Sequence, residues 1–271
     1  MRFSIVISTH QASFEAVSFK GAVEDSLATV AQAGYDGAEL AVLNAAEVDG
    51  AHLKEIANQL NLQIPAIGTG QMWGDEGLSL TAVDSGVRNT AIERISQHIG
   101  LAAELNALVI IGLVRGVAPP AEYTELARAW LVDGLRAIGD VAKAAGVRVA
   151  IEAINRYETT YINTVTQGLA VIDQVKSEAI GLLLDSFHMN IEEPSMVESI
   201  RIAGDRLFHF HVADSNRWYP GAGHIDFDAL LRELEAVHYT GWVSGEYLPL
   251  PDAETSIKRG LKYMQHVASR L

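Results

Sequence analysis

The chain contains no cysteine, which excludes disulfide bridges and any metal site built from thiolates. Positive charge is also scarce, because 20 Lys and Arg residues face 34 Asp and Glu residues, for a formal net charge of −14. This balance opposes nonspecific attraction to nucleic acid and to anionic membranes. No apolar stretch approaches the roughly 20 residues of a membrane helix, and the amino terminus enters a predicted strand without room for a signal peptide. We therefore expect a cytoplasmic protein that acts on a small molecule.

Apolar residues are abundant, at 49% of a 271-residue chain, which is enough for a sizeable core. No Ser- or Pro-rich linker and no low-complexity segment interrupts the alternation of β-branched runs with helical spacing. Glycines such as Gly34 and Gly146 lie at the junctions between predicted helices and strands, where a residue in the left-handed conformation can end a helix. We expect residues 1–271 to form a single domain.

The apolar runs predict eight strands, each followed by a segment with helical spacing. Eight strand-helix units are typical of a closed (β/α)₈ barrel, or TIM barrel. A doubly wound open sheet is the alternative, but acidic or imidazole side chains at the ends of the last four strands fit a barrel better. The predicted strands lie near residues 3–8, 36–42, 63–68, 107–113, 147–153, 180–185, 207–213 and 242–247.

A potential metal ligand stands at the end of each of the last four apolar runs. The carboxyl ends of parallel strands meet at one mouth of a barrel, so these side chains are expected to converge. Three carboxylates and one imidazole would not be stable together unless a divalent cation lay among them. Such an oxygen-rich set suits Mn²⁺, Mg²⁺ or Co²⁺ better than structural zinc. The predicted ligands are Glu152, Asp185, His211 and Glu246.

Each ligand also has a structural interpretation. Asp185 could only cap the following helix, and His211 could be a hydrogen-bonded core histidine. Glu152 and Glu246 are harder to explain in this way, because an unpaired carboxylate is costly to bury in an apolar strand. His209 shares a strand face with His211 but lies deeper, so we expect it to support a ligand or to pack in the core.

Five separated motifs resemble the ketose 3-epimerases, a group of D-tagatose, D-psicose and L-ribulose 3-epimerases among the xylose-isomerase-like barrels. The motifs are Ile151–Glu158, Leu184–Asn190, His209–Arg217, Gly221–Phe227 and Gly245–Glu246. The resemblance extends over nearly the whole chain. It implies that the four ligands named above bind the metal and that Glu158, His188 and Arg217 hold the sugar. Ordinary loop polarity is the other interpretation of these last three residues.

The segments Ala66–Gln71, Gly77–Thr81 and Val109–Gly116 resemble, more narrowly, a bacterial branch of 5-keto-L-gluconate epimerases that also act on plain ketohexoses. The loops after strands one and four lack the aromatic residues that the sugar epimerases usually carry there, which leaves the substrate open. Arg115 could form a bidentate pair with the carboxylate of a keto-sugar acid, or it could be a solvated loop arginine.

Two further residues are candidates for substrate contact, Gln71 and Trp73. The glycines around them, Gly68, Gly70 and Gly74, suggest a flexible lid, with Trp73 closing over the sugar. Trp73 could equally be a packed loop aromatic.

Epimerisation at carbon 3 of a ketose removes a proton beside the ketone and returns it to the opposite face, through a cis-enediolate. Two bases must therefore flank one carbon. Glu152 and Glu246, on strands five and eight, are predicted to be these acid/bases. A divalent metal would polarise the ketone and stabilise the enediolate.

Other functions remain open from the sequence. An aldose-ketose or hydroxypyruvate-type isomerase would use the same barrel and metal. An endonuclease IV-like DNA-repair enzyme would need a histidine-rich, multi-zinc site and a basic surface, which the acidic balance disfavours. Gly221 and Gly223 after the seventh strand keep a phosphorylated substrate as a minor alternative. The family resemblance implies a homodimer or homotetramer.

Overall fold

Eight parallel strands close into a barrel in a computed structural model that describes residues 1–271. Each strand pairs with its neighbours in sequence order, and the first strand pairs with the last, with Phe3 opposite Val243. This closure confirms the predicted (β/α)₈ barrel and excludes the open sheet. The strands are β1 (Arg2–Ser8), β2 (Gly37–Ala41), β3 (Ala66–Gly68), β4 (Leu108–Ile111), β5 (Val149–Ala153), β6 (Ile180–Asp185), β7 (Leu207–Val212) and β8 (Trp242–Gly245).

Helices surround the strands and follow each of them in the chain. β3 and β6 are each followed by two helices, and the other strands by one. The helices are α1 (Val23–Ala33), α2 (Gly50–Gln59), α3 (Gln71–Glu76), α4 (Ser85–Leu105), α5 (Thr124–Ala145), α6 (Val165–Val175), α7 (Ser186–Glu192), α8 (Met196–Ala203), α9 (Phe227–Ala236) and α10 (Ala253–Ala268). None of the ten combines the length and apolar character of a membrane span.

The strands are buried on both faces, as expected for parallel strands covered by helices. A large apolar layer of 65 buried residues lies mainly between the strands and the helices. A smaller cluster that includes Ala150, Leu183 and Phe208 fills part of the barrel interior. The barrel is therefore a packed core, and open space for a ligand is left only near its ends.

The predicted helix ends at glycine are also confirmed. Gly34 and Gly146 adopt left-handed backbones with φ of 91° and 68°, and both end a helix. Six strands are shorter than predicted, and β3 and β4 are shortened the most, by three residues each. β3 begins only at Ala66, because the preceding Pro65 has no backbone N–H to donate to a ladder. β4 stops at Ile111, and a 3₁₀ turn over Leu113–Arg115 replaces the rest of the predicted strand.

Candidate metal centre and active site

The four predicted metal ligands converge at the carboxyl-terminal mouth of the barrel. Glu152 lies on β5, Asp185 at the end of β6, His211 on β7, and Glu246 directly after β8. One ligand atom from each lies within 4.8 Å of those of the others. The Nδ1 atom of His211 is 3.9 Å from Glu152 Oε1 and 3.8 Å from Glu246 Oε2. These separations leave room for one ion between the donor atoms.

Three of these donor atoms are buried and have no hydrogen-bond partner: Glu152 Oε1, Asp185 Oδ2 and His211 Nδ1. An orphaned buried polar atom is costly, and three that face one point indicate a common partner. Burial, with repulsion from Glu246, raises the pKa of Glu152 well above its usual value. Burial likewise raises the pKa of Glu246 to about 7, although His211 and Arg217 oppose the shift. A divalent cation fits this donor set, because it would satisfy all three atoms and stabilise the ionised carboxylates.

Asp185 caps the following helix, and its second oxygen also faces the candidate metal site. Its Oδ1 atom accepts a hydrogen bond of 2.8 Å from the backbone N–H of Phe187 and caps α7. Its Oδ2 atom is free to face the other ligands. The cap fixes the carboxylate plane, so that the second oxygen is oriented towards the site.

Glu39 on β2 is a site residue that the sequence analysis missed. Its buried carboxylate lies 2.7 Å from His209 Nε2 and 3.0 Å from His211 Nε2. Burial alone would raise the pKa of Glu39, but the two imidazoles outweigh it and hold that pKa far below its usual value. Because an ionised carboxylate only accepts, both imidazoles donate from Nε2, which leaves His211 Nδ1 free for the cation. His209 thus helps to hold Glu39, within the supporting role predicted for it.

Glu39→Gln is expected to weaken metal binding by about 10- to 100-fold, the usual effect of losing a carboxylate behind a metal-bound histidine. In either orientation of the glutamine amide, its NH₂ group lies against His211 Nε2, which is 3.0 Å from one carboxylate oxygen of Glu39 and 3.1 Å from the other. That donor favours moving the proton of His211 to Nδ1, the atom that faces the cation. Titration calorimetry with Mn²⁺ measures the loss. Glu55→Gln, at an exposed position on α2, makes the same charge change away from the site and should bind Mn²⁺ like the wild type. Unchanged affinity in Glu39→Gln would show that Glu39 does not orient His211.

A cavity of about 240 Å³ opens beside the four ligands. Its wall includes five of the six predicted substrate contacts, which are Glu158, His188, Arg217, Gln71 and Trp73. A recess of about 610 Å³ at the opposite mouth is larger, but it lies at the amino-terminal ends of the strands, away from the metal ligands. The smaller cavity is therefore the candidate active site.

Arg217 joins the cavity wall to the metal ligands. Its guanidinium donates to Glu158 Oε1 at 2.8 Å and to Glu246 Oε2 at 3.1 Å. The ring of Phe187 lies 4.8 Å from it and that of Phe14 lies 5.5 Å from it. These aromatic faces and two carboxylates hold Arg217 rigidly beside Glu246. Phe14 also lines the cavity, so the loop after β1 does supply an aromatic residue, which corrects the prediction that this loop lacks one.

His188, on α7, faces the metal ligands from the cavity wall. Its Nε2 atom is 3.6 Å from Glu152 Oε1 and 3.8 Å from Asp185 Oδ2. Burial, helped by nearby Arg217 and Arg115, lowers its pKa well below the usual value. His188 is therefore a neutral imidazole, able to donate one hydrogen bond from one nitrogen only.

Arg115 corrects a prediction. It is neither a solvated loop arginine nor a free partner for a substrate carboxylate, because its side chain is 0% exposed and does not line the cavity. The guanidinium instead donates to four backbone carbonyls, those of Gly112, Glu152, Tyr161 and Ile162. It therefore ties the end of β4 to the end of β5 and to the loop beyond it.

The predicted flexible lid is also different in the structure, because residues 71–76 form the short helix α3. Gln71 is buried there and donates to Ser8 Oγ at 3.0 Å, while its Oε1 has no partner. Trp73 packs against the apolar core and lines the cavity. Both residues thus form a fixed wall in this structure.

Comparisons with known proteins agree with this fold. A family model described as a xylose isomerase-like TIM barrel matches residues 27–267. An L-ribulose 3-epimerase of Mesorhizobium japonicum is 34% identical over 247 residues, which cover 89% of this chain and 80% of that protein. A D-psicose 3-epimerase of Agrobacterium fabrum is 32% identical over 223 residues, covering 79% of this chain and 75% of that one. The structure of a Methylomonas D-allulose 3-epimerase in complex with D-allulose superposes with a TM-score of 0.84 at 25% identity, covering 98% of this chain and 96% of that chain.

Proposed function

The chain belongs to the xylose isomerase-like TIM barrel family, and from that premise we propose that it is a metal-dependent ketose 3-epimerase. It is an enzyme of the isomerase class, as are its 3-epimerase relatives. The observation that carries the proposal is the pair of glutamates, Glu152 and Glu246, which reach one point from β5 and β8 beside a cavity of about 240 Å³. One carboxylate on each side of a carbon is the arrangement that epimerisation requires.

The proposed reaction needs one proton to leave carbon 3 and one to return. Glu152 or Glu246 takes the proton, and the bonding electrons move into the enediolate formed with the neighbouring ketone. The other glutamate then gives a proton to the opposite face. A divalent cation held by Glu152, Asp185, His211 and Glu246 would polarise the ketone and stabilise the negative charge that develops beside it.

His188, Glu158 and Arg217 are proposed to hold the substrate, as their positions on the cavity wall support. The neutral imidazole of His188 can donate to a substrate oxygen beside the metal ligands. Glu158 can accept from a hydroxyl, and Arg217 keeps both Glu158 and Glu246 in place through its two hydrogen bonds. These contacts would set carbon 3 within reach of the two glutamates.

A neutral ketose fits the cavity better than a keto-sugar acid. Arg217 is the only lysine or arginine on the cavity wall, and its guanidinium already donates to the carboxylates of Glu158 and Glu246. Arg115, the predicted partner for a substrate carboxylate, is held by four backbone carbonyls instead. A substrate carboxylate would lie among Glu152, Glu158 and Glu246 with no free lysine or arginine to neutralise it. Activity on 5-keto-L-gluconate stays a prediction from the sequence resemblance, and it is to be tested in comparison with neutral ketoses.

Mn²⁺ is the proposed metal, with Co²⁺ and Mg²⁺ as the alternatives that three carboxylates and one imidazole also suit. A single domain over residues 1–271, a cytoplasmic location and a homodimer or homotetramer stay predictions. The histidine-rich site of an endonuclease IV-like enzyme does not match a ligand set with one imidazole.

The proposed function is tested by incubating the Mn²⁺-loaded protein in D₂O with ketohexoses, ketopentoses and 5-ketogluconates, and locating deuterium by NMR. Epimerisation gives deuterium at the carbon beside the ketone together with the epimeric sugar, with neutral ketoses converted faster than the acids. An aldose product would instead establish the isomerase. No exchange with any sugar, in protein shown to hold metal, would overturn the epimerase proposal.

A further inference from the structure

The side-chain amide of Asn155 lies behind His188, on the side away from the metal ligands. Asn155 is in the loop after β5 and is 1% exposed. Its Nδ2 atom is 2.7 Å from His188 Nδ1 and donates to Glu158 Oε1 at 2.9 Å. Its Oδ1 atom accepts from the backbone N–H of Tyr157 at 2.9 Å.

The orientation of this amide is fixed by its neighbours. The backbone N–H of Tyr157 can only donate, so it must face the amide oxygen, and the carboxylate of Glu158 accepts from the NH₂ group. The flipped amide would place its oxygen against that carboxylate and its NH₂ group against an N–H. The group that faces His188 is therefore a donor.

A donor at Nδ1 decides where the proton of His188 lies. The amide NH₂ group has no lone pair to offer, so Nδ1 of His188 must accept, and an imidazole whose Nδ1 accepts carries its proton on Nε2. That nitrogen is the one 3.6 Å from Glu152 Oε1 and 3.8 Å from Asp185 Oδ2. His188 consequently directs an N–H donor towards the site.

We propose that Asn155 is a positioning residue that locks His188 in its Nε2–H tautomer, so that His188 can donate to the oxygen that gains charge in the enediolate. This inference rests on the proposed 3-epimerase function for its catalytic consequence, but not for the tautomer itself. The opposite tautomer would direct a lone pair at that oxygen and at two carboxylates, and would remove the donor where negative charge develops.

The same contacts link Asn155 to the rest of the cavity wall. Glu158 accepts from both Asn155 and Arg217, and Arg217 donates onward to Glu246. One amide thus holds the two predicted sugar-binding residues, His188 and Glu158, in a fixed relation to each other. Asn155 itself does not line the cavity, so its effect must pass through these neighbours.

The first test is made on the wild-type protein. With ¹⁵N-labelled histidine and diamagnetic Mg²⁺ in the site, NMR should show His188 protonated on Nε2 and unprotonated on Nδ1. A His188 signal with the proton on Nδ1 would overturn the proposal, whether or not the protein epimerises sugars. Failure of the proposed function alone would leave this tautomer unchanged, which separates the two.

The second test is Asn155→Asp, which keeps the size of the side chain but offers only acceptors. His188 should then carry its proton on Nδ1, and kcat should fall by about 10²-fold, the usual effect of losing one donor to a developing oxyanion. KM should change much less. The affinity for Mn²⁺ should stay within about 3-fold of the wild type, because Asn155 contacts none of the proposed metal ligands. Substitutions of residues that support a metal ligand usually weaken metal binding by about 10-fold or more. The NMR signal and the kcat-against-KM split distinguish positioning from a merely structural role.

Asn190→Asp is the matched control, since Asn190 is exposed on α7 two residues after His188. It adds the same charge as Asn155→Asp, but to an exposed position on the helix that carries His188, and it should keep the Nε2–H tautomer and full turnover. Asn155→Ala, which removes the amide without adding charge, should also lower kcat and should leave His188 as a mixture of tautomers. Wild-type kcat in both Asn155 variants would overturn the proposal.

Discussion

Glu246→Gln is expected to abolish conversion of one epimer into the other while leaving the protein folded. The variant loses one of the two proposed acid/bases, and general acid-base catalysis alone contributes about 10²- to 10⁴-fold. It also removes one anionic metal ligand, which adds to the loss. The fold should survive, because glutamine has nearly the same shape and one charge fewer in a crowded carboxylate cluster relieves repulsion. Circular dichroism and the epimerisation rate measure the two effects.

Deuterium exchange makes this prediction sharper. If the two glutamates act on opposite faces, Glu246→Gln should still exchange the carbon-3 proton of one epimer through Glu152, with no product formed. Glu152→Gln should exchange only the other epimer. Metal must be supplied in excess in both variants, so that weaker binding does not imitate a lost base. Wild-type turnover in metal-loaded Glu246→Gln would contradict the mechanism, and Glu235→Gln, exposed on α9, is the control that should turn over normally.

Arg115→Met is expected to lower the free energy of unfolding by about 3–5 kcal/mol. Hydrogen bonds from a charged donor contribute about 1.5–3 kcal/mol each, and the removal of a buried charge offsets part of their loss. The guanidinium of Arg115 donates to four buried carbonyls, and methionine fills the space without donating. Such a loss is a large part of the ~5–15 kcal/mol that a folded domain has in total. Urea unfolding followed by circular dichroism gives the change in the free energy of unfolding.

Arg115→Lys refines the test, because lysine keeps the charge but cannot reach four carbonyls from one planar group. It should fall between Arg115→Met and the wild type. Arg128→Met, at an exposed position on α5, should change stability by less than about 0.5 kcal/mol, as surface substitutions usually do. A similarly small effect in Arg115→Met would show that the carbonyls do not depend on this guanidinium.

The features that the sequence predicted correctly are those set by short stretches of chain. Eight apolar runs with turn signals between them were enough to predict the barrel, because each strand is recognisable from its local sequence pattern and parallel strands need helical crossovers. The convergence of Glu152, Asp185, His211 and Glu246 followed from one further rule, that strand ends share a mouth. Strand ends were less certain: Pro65 shortened β3, and a turn replaced the end of β4.

Arg115, Glu39 and Asn155 show where local patterns fail. Arg115 follows a strand at a glycine-flanked turn, which in sequence looks like a solvated loop. It is buried because carbonyls from two separate segments, Glu152 and Tyr161–Ile162, lie around it. Glu39 is one acid in an apolar strand, and only the barrel brings β2 across to the histidines of β7, 170 residues away. No spacing rule relates residues so distant in the chain.

By itself, the sequence determined the barrel, the end at which the site lies and the side chains that could bind a metal, because backbone periodicity and residue chemistry are local properties. Only the tertiary structure decided which atoms of those side chains are free. Glu39 accepts from Nε2 of His211 and leaves Nδ1 available for a cation, and Asn155 donates to Nδ1 of His188. Arg115 donates to four backbone carbonyls and is buried away from the cavity. Hydrogen-bond partners decide whether each of these atoms donates, accepts or stays free, and the partners come together only when the barrel closes.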